Sequence, residues 1–122
     1  MNEVPIPTNI KYHRGARVLE LVYPDGRQFE LSAEFLRVHS PSAEVRGHGP
    51  GQEVLQVGKE DVAIERIEPV GNYAIRLYFD DGHHTGIYSW DELYRLGANK
   101  EALWSDYLDR LKRAGHQRSE KS

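Results

Sequence analysis

The chain has 122 residues, 39% of them hydrophobic and 29% charged, with a net charge of −3 and no cysteine. That length supports one hydrophobic core, and the lack of thiols rules out disulfides, thiolate nucleophiles, thiolate-held zinc and directly ligated iron–sulfur clusters within it. Acids and bases are interspersed, which offers no electrostatic footprint for nucleic acid or anionic lipid, and no run of 18 apolar residues suggests a membrane span.

The N-terminus lacks a basic region followed by an apolar run, so a cytoplasmic location is expected. Residues 1–16 show no apolar periodicity and read as an extended arm ahead of a single domain over 17–115. Leu19, Leu21 and Tyr23 then alternate with Val18, Glu20 and Val22. Pro24-Asp25-Gly26 supplies a turn, and Arg27 to Leu31 returns with Phe29 and Leu31 inward, a pattern that predicts a β-hairpin. Ser32 is placed to cap a helix over Ala33 to Val38, with Leu31 and Leu36 as an apolar staple and Pro41 as the stop. Ser40 to Gln56 holds two prolines and three glycines and reads as a long loop.

A second hairpin follows, from Val62 to Ile67 or beyond, then Tyr73 to Phe79, an Asp80-Asp81-Gly82 turn, and a strand through Thr85 to Tyr88. Tyr73, Ile75, Leu77 and Phe79 share one face and Arg76 the other, as in a half-buried antiparallel strand. Ile64 and Ile67 fall on opposite faces unless a bulge intervenes. Ser89 and Glu92 form a capping box, Tyr88 and Leu93 staple it, and Gly97 stands where a left-handed C-terminal residue belongs. Asn99 is placed to cap a last helix, whose Leu103, Trp104, Tyr107, Leu108 and Leu111 recur at helical spacing before Gly115. Residues 116–122 read as a flexible tail. The class expected is α+β: a small antiparallel-sheet domain of two hairpins, with short helices and a C-terminal helix packed on it.

Histidine is the residue type able to support metal chemistry here. His39, His48, His83 and His84 could gather, with Glu44 nearby in sequence, if the long loop folds onto the second hairpin. Neighbours on a strand point to opposite faces, so His83 and His84 would not both join. Oxygenase chemistry needs two histidines and a carboxylate that usually begin with a His-x-acid step, and no histidine here has an acid two residues on. Asp80 and Asp81 are explained by turn formation, no Gly-x-Ser-x-Gly elbow is present, and Gly47-His48-Gly49-Pro50-Gly51 lacks the Lys-Ser/Thr ending of a phosphate loop.

Leu19 to Gly26 with its Tyr23-Pro24-Asp25-Gly26 turn, Leu31 to Ser42, and Gly71-Asn72-Tyr73 through Phe79-Asp80-Asp81-Gly82-His83 to Trp90 together resemble the gamma-butyrobetaine hydroxylase N-terminal domain. The resemblance spans roughly residues 15–113, and stand-alone bacterial members of the family are similar also through Gly47 to Gln52. It implies a small domain that, in the two-domain hydroxylases, precedes an Fe(II)- and 2-oxoglutarate-dependent oxygenase domain and holds zinc through three cysteines and a histidine. Those positions fall on Ser40, Ser42, Val45 and His83. Serine hydroxyls stay protonated near neutral pH and valine has no donor, so the zinc site does not transfer. A related domain attached to P-loop ATPases of the iron–sulfur carrier type implies an accessory role in cluster handling.

The resulting expectation is a non-enzymatic module presenting Arg37, His39, Arg46, His48, His83 and Trp90 to another protein, with no cofactor. The alternative is a metal-binding accessory to iron or iron–sulfur enzymes, with zinc or iron at His83 and help from His39, His48 and His84. A homodimer paired through edge strands is the third reading.

Overall fold

Residues 5–47 and 53–118 are described by the structure, a computed structural model of the chain. They form β1 (Asn9–His13), β2 (Val18–Val22), β3 (Gln28–Ser32), α1 (Ala33–Val38), α2 (Ala43–Arg46), β4 (Ile64–Val70), β5 (Ala74–Phe79), β6 (Gly86–Ser89), α3 (Trp90–Ala98) and α4 (Lys100–Arg113). The strands make two three-stranded antiparallel sheets, ordered β1-β2-β3 and β4-β5-β6. With the short helices and the C-terminal helix this is the α+β arrangement read from the sequence. No helix among the described residues is long and apolar enough to cross a membrane.

The segment read as an arm is extended but paired: β1 runs against β2 from Asn9↔Val22 to His13↔Val18. Only Ile10 and Tyr12 of β1 pack on the core, too few apolar positions to register as a period in the sequence. The Tyr23 to Arg27 turn forms as its residues demand, with Gly26 at φ 87° and Asp25 Oδ1 accepting the Arg27 N–H at 2.9 Å.

The core lies between the sheets. Leu19, Leu21 and Leu31 from one meet Ile64, Ile75, Leu77 and Phe79 from the other, sealed by Leu36, Tyr88, Leu93 and Leu96. Each such side chain contributes about 2 kcal/mol by leaving water. The expected bulge is present, as a register shift between Ile64 and Arg66 that turns Ile64 inward. Tyr73 departs from its reading: it sits in the turn before β5 and is 57% exposed, and the inward alternation begins at Ile75.

Ser32 and Ser89 cap α1 and α3, accepting the N–H groups of Phe35 at 3.0 Å and Glu92 at 3.1 Å. Gly97 is not a left-handed terminator. It lies inside α3 where the helix crosses β3, and a Cβ there would stand 2.2 Å from Phe29 Cδ2. Asn99 ends α3 by donating Nδ2–H to Arg95 O and gives α4 no side-chain cap. On α4, Tyr107 and Leu111 join Val38 in a small second cluster, while Leu108 faces solvent. Beyond Gly115, Arg118 folds back to pair with the buried Glu34 and lies over the Trp104 ring, so residues up to 118 of the segment read as tail are tied to the body.

Candidate functional site

The chain leaving α1 must cross the β5–β6 hairpin, and small residues let it approach closely. A Cβ at Gly86 would fall 2.6 Å from Ser40 Oγ. Ser42 then caps α2, accepting the Glu44 N–H at 3.2 Å, and its hydroxyl pairs with Thr85 Oγ1 at 2.6 Å. Into this crossing projects His83, with Nε2 2.9 Å from Ser40 Oγ and Nδ1 2.9 Å from Glu44 Oε2.

One arrangement of protons satisfies the whole set. Nδ1–H donates to the Glu44 carboxylate, Nε2 accepts the Ser40 hydroxyl proton, and Ser40 Oγ in turn accepts the Ser42 N–H at 3.3 Å. Burial, then the nearby Arg37 charge, holds His83 below its ordinary value, and the opposing pull of Glu44 does not overcome them. The ring is therefore neutral at pH 7.

Beneath it lies a second brace. Asp81 accepts the His83 N–H at 3.2 Å, Arg37 Nε at 2.8 Å and Lys59 Nζ at 2.8 Å. Burial alone would raise the Asp81 carboxyl; the hydrogen bonds from Lys59, His83 and Arg37 bring it down to about 2. Arg37 also donates to Gln56 Oε1 at 2.9 Å, and Gln56 O accepts the Tyr107 hydroxyl at 2.7 Å, so the brace reaches α4.

The order Ser40, His83, Glu44 is that of a hydrolytic triad, but the chemistry does not follow. Ser40 is fully buried, its oxygen is occupied by a backbone N–H, and residue 41 is proline, so no N–H follows the serine to stabilise an oxyanion. The arrangement is a tie between loop and hairpin.

Ser40, Ser42 and His83 meet here, with Val45 buried on α2 and its N–H bonded to Ser42 O at 3.0 Å. Neutral hydroxyls, a methyl pair and an imidazole already bonded through both nitrogens do not fit zinc. The other histidines lie elsewhere. His39 ends α1, its ring tilted against Phe35 at 4.6 Å with Nδ1 3.0 Å from Phe35 O, and His84 stacks on Tyr78. His48 lies outside the described residues. Among those described, no three His, Asp or Glu side chains are placed to share a metal ion.

Arg37, read as a surface contact, is 7% exposed and acts as an internal brace; its charge suggested exposure, but its partners are far away in sequence. Trp90 is partly buried and donates Nε1–H to Asn72 O at 2.8 Å. Arg46 is exposed and shares Glu92 Oε1 with Arg95. Asp81 and Gln56 carry the brace without any local sign of it, because Asp81 also satisfies a turn. Beside the tie, a cleft of about 280 Å³ opens between α1, α2, the 53–56 segment and α4, lined by His39, Arg46, Val54, Arg95, Asp106 and Arg110.

The profile of the family described as gamma-butyrobetaine hydroxylase-like, N-terminal, matches residues 10–94. The chain is 31% identical over 94 residues to the chloroplastic Fe-S cluster assembly factor HCF101 of Oryza sativa subsp. japonica, covering 75% of this chain and 18% of that protein. It therefore spans less than a fifth of that relative's length. Among solved structures, a solution NMR structure is 48% identical with a TM-score of 0.83, covering 98% of this chain and 95% of the other. A crystal structure of a DUF971 family protein from Acidithiobacillus ferrooxidans ATCC 23270 is 38% identical with a TM-score of 0.63, covering 78% and 93%.

Proposed function

We propose that this chain, which belongs to the gamma-butyrobetaine hydroxylase-like N-terminal family, works as a non-catalytic module that binds another protein through the face beside the His83 tie. The observation that carries this reading is the commitment of both His83 nitrogens to Ser40 and Glu44, which uses the would-be reactive groups to fix the 40–47 segment in place. What that segment presents is a contact surface. Arg46, Arg95 and Arg110 stand around the cleft, with the exposed Val54 among them, a mixture of arginine and apolar area suited to protein recognition.

The test is quantitative co-purification with the full chain and an Arg46→Glu/Arg110→Glu variant whose melting temperature is unchanged. A partner retained by the native chain and lost by the variant supports the reading. Identical sets of bound proteins overturn it.

A second reading, an accessory role in iron–sulfur cluster assembly, is supported by the identity to the rice assembly factor. In this reading the partner is a protein of that machinery, and the chain contributes a docking surface, since its own residues supply no thiolate. Cluster-assembly proteins among the specifically retained partners would select it.

A further inference from the structure

We infer that the outer face of the first sheet holds a binding site for a small organic cation, a primary amine carried on an apolar body. This inference is independent of the protein-binding face. A cavity of about 660 Å³ opens between that sheet and the start of α4, within the size range of small-molecule sites. Its walls are Ala16, Val18, Phe35 and Trp104, so an apolar body would be held against aromatic and aliphatic surface.

The charge around those walls is unbalanced toward acid. Glu20 and Glu30 stand directly opposite each other on β2 and β3, a like-charge pair that costs the sheet stability, and Glu101 faces them from α4. His13 Nε2 engages Glu20 at 2.8 Å. Lys100 is the other basic residue at the rim, and its ammonium is taken by the backbone carbonyl of Glu30 at 3.0 Å rather than by a carboxylate. Among the described residues neither Glu30 nor Glu101 has an ion-pair partner, and Lys11, across from Glu20, does not line the cavity. An ammonium between Glu30 and Glu101 would meet this excess of acidic charge, which Lys100 offsets only in part.

The experiment is a titration of the full, isotope-labelled chain followed by amide and indole NMR, with phenethylamine as probe and phenethyl alcohol as its neutral counterpart. Saturable shifts confined to Ala16, Val18, Glu30 and the Trp104 indole, with the amine binding about tenfold more tightly than the alcohol at low salt, are expected. The Glu30→Gln/Glu101→Gln variant should stay folded and bind both probes equally. Equal affinities for the native chain, shifts spread over other surfaces, no saturation, or binding of a lysine-rich peptide without binding of phenethylamine would each overturn the assignment.

Discussion

Nε2 of His83 lies 2.9 Å from Ser40 Oγ, joining the hairpin tip to the segment that leaves α1 across 43 residues of sequence. That bond, with the one from Nδ1 to Glu44, fixes the loop whose far side forms the cleft.

Ser40→Ala would leave a buried imidazole nitrogen without its donor and is expected to lower stability by about 1–3 kcal/mol. His83→Ala removes both bonds and leaves a void, so its loss should be larger, about 2–4 kcal/mol. Urea unfolding of the two variants checks the order. Hydrogen exchange should show the extra opening concentrated in residues 40–47.

Gly97→Ala places a methyl 2.2 Å from the Phe29 ring. Alanine favours helix over glycine by about 1 kcal/mol, but overpacking here should dominate and give a net loss of about 1–3 kcal/mol. A stabilised variant in thermal unfolding would show that α3 and β3 separate easily.

Arg118→Ala strands the Glu34 carboxylate, which is 6% exposed, without its partner and uncovers Trp104. A loss of about 2 kcal/mol is expected, most of it recovered when Glu34→Gln is added. The double-mutant cycle measures this directly.

Stability should fall with acid in two stages. Burial holds His83 and His39 below the ordinary value of 6.5 in the fold, so below that pH the unfolded chain takes up protons first and stability declines as the pH moves toward the folded values. Asp81, held at about 2 against an ordinary 3.8, contributes stability present above pH 3.8 and lost toward pH 2, on the order of 2 kcal/mol. Urea midpoints from pH 7.5 to 2.5 should show both, and Asp81→Asn should remove only the second.

What the sequence disclosed depended on distance along the chain. The Tyr23 to Arg27 turn and the Ser32 and Ser89 caps act over two or three residues, and each forms as read. Gly97 followed a sound local rule and failed it because its neighbour, Phe29, is remote in sequence. The Arg37 and Asp81 brace was hidden for the same reason: one read as surface charge, the other as turn former. The convergence of Ser40, Ser42 and His83 was legible only through the family resemblance, since nothing in their spacing brings them together.

Whether His83 is a neutral tie or a metal ligand is read from its two ring-nitrogen NMR shifts at pH 7, before and after adding equimolar zinc. A neutral tie gives the Nδ1–H tautomer with a hydrogen-bonded, unprotonated Nε2, the same in both spectra. A zinc-dependent shift at either nitrogen, lost in His83→Ala, would contradict it.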